Sequence, residues 1–116
     1  MLIDRISSEN LEQRTYQNRL EKLRTPNKTY VYSESQLVAA LERSGLVVEA
    51  RARYAEQIEV QAWIQAAGPD EETADTIMAL LTAAGDPAGF QLRHEGHRLM
   101  MTHQTTVLVA RRHEVS

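Results

Sequence analysis

The side-chain period changes from helical to alternating at Gly45, and that change limits the folds open to this chain. Ser33 and Gln36 form a Ser-x-x-Gln capping box, and Leu37, Ala40, Leu41 and Ser44 fall on one helical face before Gly45 closes the helix. From Leu46 the period is two: Leu46, Val48, Ala50, Ala52 and Tyr54 point one way, while Val47, Glu49, Arg51 and Arg53 point the other. The segment from Leu46 therefore reads as a half-exposed strand following a one-faced helix. With 116 residues the chain suits a single domain spanning residues 1–116. The class expected is α/β (or α+β), a small mixed three-stranded sheet plus a hairpin, with packed helices.

The flanking segments supply the other elements. Met1 to Ile6 is a short apolar run compatible with a buried strand. Residues 8–23 are polar and helix-permissive, with Leu11, Tyr16, Leu20 and Leu23 as one apolar stripe, and Pro26 with Asn27 stops them. Val60, Trp63, Ile64 and Ala67 sit at helical spacing up to Gly68-Pro69. A further helix starts among Asp70, Glu71 and Glu72, acids that suit a positive helix N-terminus, and carries Ile77, Leu80, Leu81 and Ala84 to Gly85. After a loop at 86–89, Phe90 to Arg93 and Arg98 to His103 read as a hairpin turning at His94 to His97. Thr105 to Ala110 reads as a buried strand before a charged tail.

Composition removes several function classes. The net charge of −3 gives no electrostatic reason for nucleic-acid binding. No cysteine is present, which removes disulfides, thiol catalysis and cysteine-based zinc sites and fits a cytoplasmic protein. No apolar stretch approaches about 18 residues, so no membrane partner is expected. His94, His97, His103 and His113 lack convergent thiolates or carboxylates and read as solvent-exposed histidines of the hairpin and tail, with no metal expected. Met78, Met100 and Met101 read as core filling. No motif supports Ser-His-Asp catalysis, and no catalytic residue is assigned.

The stretch Arg24-Thr-Pro-Asn-Lys-Thr-Tyr-Val-Tyr-Ser33, preceded by Leu2-Ile3-Asp4-Arg5-Ile6 and Glu21-Lys22-Leu23 and followed by the helix to Gly45, resembles part of a known family. It is similar to the carboxyl-terminal portion of class I S-adenosylmethionine-dependent methyltransferases of the ubiquinone and menaquinone biosynthesis type. Thr106-Val-Leu-Val-Ala-Arg111 is similar to that family's closing strand. The resemblance implies a sheet ordered first, last, middle, with the last strand antiparallel between the other two. It also implies S-adenosylmethionine as the family's cofactor. The glycine-rich strand-to-helix turn that would hold this cofactor does not occur before Asp4, so none is expected to bind to this chain alone. Thr25 stands where the family has Asp, and Lys28 where a His often follows, which places general-base chemistry there in doubt.

Candidate substrate-binding residues are Asp4, Arg24, Lys28, Tyr30 and Tyr32. Asp4 either lines a pocket at the carboxyl end of a strand or caps that strand beside Arg5. Arg24, Lys28, Tyr30 and Tyr32 either contact an anionic or aromatic small-molecule ligand or divide between loop solvation and core packing. The expected function is the substrate-side fragment of a methyltransferase, inactive alone, completed by a separate N-terminal half or by a longer chain. The alternative is a small dimeric α/β binding or oligomerisation domain without catalytic activity. For the chain alone, an unpaired first strand makes a homodimer the expected assembly.

Overall fold

The computed structural model describes residues 1–27 and 30–112. Chain order is β1 (Leu2–Ile6), α1 (Leu11–Arg24), α2 (Glu34–Arg43), β2 (Leu46–Glu59), α3 (Val60–Ala66), α4 (Glu71–Leu81), β3 (Arg93–Glu95) and β4 (Arg98–Arg112). The sheet runs β1-β4-β2, with β3 folded against the start of β4. Both β1 and β2 pair antiparallel to β4, so they run in the same direction on either side of it. The order and the antiparallel insertion of the last strand are those implied by the resemblance.

Helix starts follow their caps. Ser33 Oγ accepts the Gln36 N–H at 3.3 Å and the Ser33 N–H donates to Gln36 Oε1 at 3.0 Å, which completes the capping box. Asn10 caps α1 and Asp70 caps α4, each accepting the N–H three residues on. After α2, Gly45 takes φ +86°, a left-handed conformation that glycine adopts without strain.

The strands depart from the expected pattern in three places, each with a local cause. A bulge at Glu49 shifts the β2 register, so Val48 pairs with Ala110 while Ala50 pairs with Val109. Directly paired residues share a face, so Leu46 and Val48 end on the side opposite Ala50, Ala52 and Tyr54, not on one continuous face. The strand itself runs on to Glu59, held by pairing with β4 as far as Met100. The hairpin turns on Gly96 and His97 alone, with His94 inside β3, and β4 continues through Gln104 as one strand. Gly96 at φ +62° supplies the left-handed residue that so tight a turn needs.

Leu20, Val60, Trp63, Ile64, Ile77, Leu81, Phe90 and Met101 form one buried cluster between α1, α3, α4 and the start of β4. Met100 and Met101 are buried and Met78 packs against this cluster, as core filling requires. Leu11, expected on the buried stripe of α1, is exposed instead. The inner face of that helix carries Gln17, Leu20 and Glu21. Farther along the sheet the same side is uncovered: Ile3 is 56% exposed, Tyr54 44%, and Ala50 and Ala52 are open to solvent. Over Leu2–Ile6, β1 has β4 on one side and no strand on the other among the described residues. No helix of the described residues is long and apolar enough to cross a membrane.

Candidate functional site

A cavity of about 330 Å³ opens where β1 ends, between Ile6-Ser7-Ser8, the inner face of α1, the loop at 89–91 and residues 102–104 of β4. Polar side chains of α1 build its walls. Gln17 accepts the Ser8 N–H at 3.0 Å and donates to the Ala88 carbonyl at 2.6 Å, joining the end of β1 to the loop before β3. Gln13 accepts from Ser8 Oγ at 2.7 Å, and its side chain lies against Gly89, where a Cβ would come within 2.5 Å of it. The loop is fixed from its other side too, by Asp86 accepting the Gln91 N–H at 2.8 Å and by the Thr102 N–H donating to the Phe90 carbonyl at 2.8 Å. Behind Ser7, the Val31 carbonyl accepts from Ser7 Oγ at 2.7 Å, and the Val31 N–H reaches Asn18 Oδ1 at the same distance.

Beneath the cavity floor lies a buried charge cluster. Glu21, 2% exposed, accepts from Arg5 at 2.8 Å and from Arg24 at 3.2 Å. The Arg24 guanidinium stacks 4.6 Å from the Trp63 ring and donates through Nε to the Trp63 carbonyl at 2.8 Å. Arg5 sits 5.7 Å from the same ring and lines the cavity. Burial lowers the Arg5 pKa against the opposing pull of Glu21, but the guanidinium stays protonated at neutral pH. On the opposite face of the sheet, Glu34 accepts from the buried Thr106 hydroxyl at 2.6 Å and pairs with Arg53 at 3.1 Å. The Thr106 hydrogen bond is the main reason its pKa is lowered.

His103 shares the cavity with Arg5. Expected at a solvent-exposed hairpin, it is instead 6% exposed, because β4 is continuous and turns this side chain inward with Met101 and Thr105. Its ring lies edge-on to Trp63 at 5.6 Å and tilted against Phe90 at 5.3 Å. Burial, reinforced by the positive charges of Arg5 and Arg24, lowers its pKa to about 3, so the imidazole is neutral at neutral pH. Its Nε2 has no hydrogen-bond partner, and neither has Arg5 Nε.

The structure separates the candidates read from sequence. Asp4 is exposed and pairs with Thr106 on the face of the sheet away from Arg5 and His103. Arg24 holds Glu21 behind the cavity and does not line it. Tyr30 and Tyr32 pack with their rings tilted by 59° and the centroids 4.9 Å apart, and Tyr32 borders a different depression beside α2. Lys28 lies outside the described residues. Reading β4 as one alternating strand from Leu99 to Val109 was the signal that could have brought His103 to the site. Among the described residues no three His, Cys, Asp or Glu side chains are grouped to hold a metal ion.

No family model matches the sequence, and no curated protein matches it either. Solved structures do. The BH2331 protein of Bacillus halodurans C-125, designated a methyltransferase, superposes with a TM-score of 0.83 at 17% identity, over 94% of this chain and 53% of its own. The YcgJ protein of Bacillus subtilis superposes with a TM-score of 0.73 at 19% identity, over 92% of this chain and 49% of its own. The chain therefore has a methyltransferase-like α/β fold and spans about half the length of the structures it matches.

Proposed function

We propose that the chain is the carboxyl-terminal, substrate-side part of an S-adenosylmethionine-dependent methyltransferase. The observation that carries this reading is the β1-β4-β2 sheet itself, with its last strand inserted antiparallel, in a chain whose structural match spans only half of a protein designated a methyltransferase. Two features support the division of labour. The β1 edge and the apolar patch around Ile3 and Ala52 offer a surface for further strands and helices to cover. The cavity lies at the carboxyl end of β1, the side on which open α/β sheets bind ligands.

The residues present do not fit S-adenosylmethionine. Among the described residues β1 passes to α1 through Ser7-Ser8-Glu9-Asn10, and β2 passes into α3 at Glu59-Val60 without a turn. Neither connection has the glycines that let backbone amides approach such a ligand. The cofactor then belongs to an N-terminal half, carried by a separate chain or by a longer one, and this chain alone is inactive.

Calorimetry of the 116-residue chain with S-adenosylmethionine tests the first part: saturable binding tighter than roughly 100 μM, about −5.5 kcal/mol, refutes it. Co-expression with the segment encoded directly upstream of Met1 tests the second. The complex is expected to bind the cofactor, and an upstream segment without a glycine-rich strand-to-helix turn counts against the reading.

A further inference from the structure

Of the four glutamines that line the cavity at the end of β1, Gln13 and Gln17 are committed to its walls, bonded to Ser8 and Ala88. The other two are free. Gln91, exposed, reaches the cavity from the loop before β3, and Gln104, half-buried, reaches it from β4; among the described residues neither side chain has a hydrogen-bond partner. The backbone sets Gln91 apart a second time. It sits at φ +56°, and Asp86 at φ +46° is the only other non-glycine residue with a positive φ among the described residues. Such conformations are unfavourable for residues with a side chain and persist where the surroundings over-determine them. Here Asp86 accepts the N–H groups of Phe90 at 3.2 Å and Gln91 at 2.8 Å, while Gln17 and the Thr102 N–H donate to the Ala88 and Phe90 carbonyls. The loop is thus held in an unfavourable backbone that delivers one unpartnered carboxamide to a cavity already lined by another. We propose that Gln91 and Gln104 are the ligand-reading residues of this cavity, and that it takes a small neutral molecule with an amide or lactam edge.

The charges that line the cavity argue for a neutral ligand, because each already has a partner. Arg5 pairs with Glu21 at 2.8 Å, Arg53 pairs with Glu34 at 3.1 Å, and Glu9 accepts from the Ser35 N–H and hydroxyl. His103 is neutral and its Nε2 is buried. A charged ligand would lose hydration without meeting a free counter-charge. The free groups are carboxamides, each with two N–H donors beside an acceptor oxygen. A ketone or an ether answers only the donors. An N–H beside a C=O answers the donor and the acceptor of one carboxamide together, which selects an amide or lactam edge. The volume of about 330 Å³ lies at the lower end for small-molecule sites and keeps the ligand compact. The inference rests on the substrate-side reading for the ligand's role in methyl transfer, but not for its binding, which uses residues of this chain alone.

Valerolactam is the probe. N-methylvalerolactam keeps its ring and carbonyl without the donor, and benzoate supplies a charge in its place. Titrated into the 116-residue chain while the glutamine side-chain amide resonances are followed by NMR, valerolactam is expected to shift those of Gln91 and Gln104 and to saturate with a Kd of about 5 mM or tighter. The other two compounds are expected to bind about five-fold more weakly or worse. Gln91→Met and Gln104→Met keep the side-chain length without the amide, and each is expected to weaken valerolactam by about five-fold or more in protein whose circular dichroism is unchanged. Gln61→Met, at an exposed glutamine of α3 that does not line the cavity, is expected to leave the affinity as it was. Should Gln104→Met unfold, the result at exposed Gln91 decides. Cofactor binding by the co-expressed complex is scored separately, so failure here and failure of the methyltransferase reading are told apart. Equal binding of valerolactam and its N-methyl form, tighter binding of benzoate, unchanged affinity in folded Gln91→Met, or no saturation by about 50 mM valerolactam overturns the proposal.

Discussion

Acid should weaken this fold through His103 before it does so through the carboxylates, and a single substitution isolates the effect. The imidazole has a pKa of about 3 in the folded chain against 6.5 unfolded. The unfolded state therefore takes up a proton that the folded state refuses. Stability contributed by the neutral ring is fully present above about pH 6.5 and is lost progressively down to about pH 3. Proton linkage with these two values gives a loss of about 2 kcal/mol between about pH 7 and pH 5, rising to about 3 kcal/mol near pH 4. At about pH 5 the glutamates with lowered pKa contribute little, because their unfolded value of 4.5 has scarcely begun to titrate. The groups facing His103 are Arg5 and Arg24, which hold its pKa down, and Glu21, which opposes them. His103→Phe removes the titration and keeps the edge-on contact with Trp63 and the packing on Phe90. Urea unfolding followed by circular dichroism at about pH 7 and pH 5 should show the wild type losing about 2 kcal/mol and the variant less than about 0.5 kcal/mol. Equal losses in the two proteins would refute the assignment of a buried, neutral His103.

The other expectations are briefer. Glu21→Gln leaves the guanidinium groups of Arg5 and Arg24 without their shared carboxylate, and should cost about 3 kcal/mol in the same unfolding assay. Ser33→Ala removes the acceptor half of the α2 capping box and should cost about 1 kcal/mol. In the absence of a completing half, the open β1 edge should pair with a second copy, giving a dimer by light scattering at micromolar concentration. Ile3→Lys, at a position 56% exposed on the apolar patch, should shift it to monomer. A wild-type monomer, or a variant that stays fully dimeric, counts against that assembly.

Local signals were legible wherever one residue type meets one backbone need. The Ser33–Gln36 box, the stop at Pro26, the acids opening α4 and Gly45 at its left-handed turn each carry their reason in the residues themselves. The β2 faces were not legible beyond Val48. A bulge inserts one residue without any composition cue, and every side chain after it changes side. The site was hidden for a different reason. Residues 8–23 read only as polar and helix-permissive, and Arg24 as a candidate ligand contact, because burial of Gln17, Glu21 and Arg24 depends on partners elsewhere in the chain: Ala88, Arg5 and the Trp63 carbonyl. Arg5 looked like a strand-end charge and His103 like a solvent-exposed histidine of the hairpin until β4 proved continuous, and only their convergence on Trp63 joins them.

The polar inner face of α1 also explains why the chain leaves so much of its sheet uncovered. A helix that buried Leu or Ile at 13, 17, 21 and 24 would add core, at roughly 1.5–3 kcal/mol for each fully buried side chain. Instead these positions carry hydrogen bonds and ion pairs that fix the loop at 86–91 and the end of β1 around a cavity. Buried ion pairs contribute less than well-packed apolar side chains of the same volume, so α1 trades cohesion for placement. The missing cohesion has to come from elsewhere, and the uncovered apolar side around Ile3, Ala50, Ala52 and Tyr54 is where burial is still to be gained. The same sequence choice that shapes the cavity thus makes whatever covers that face, a cofactor-bearing half or a second copy, a source of stability for the whole.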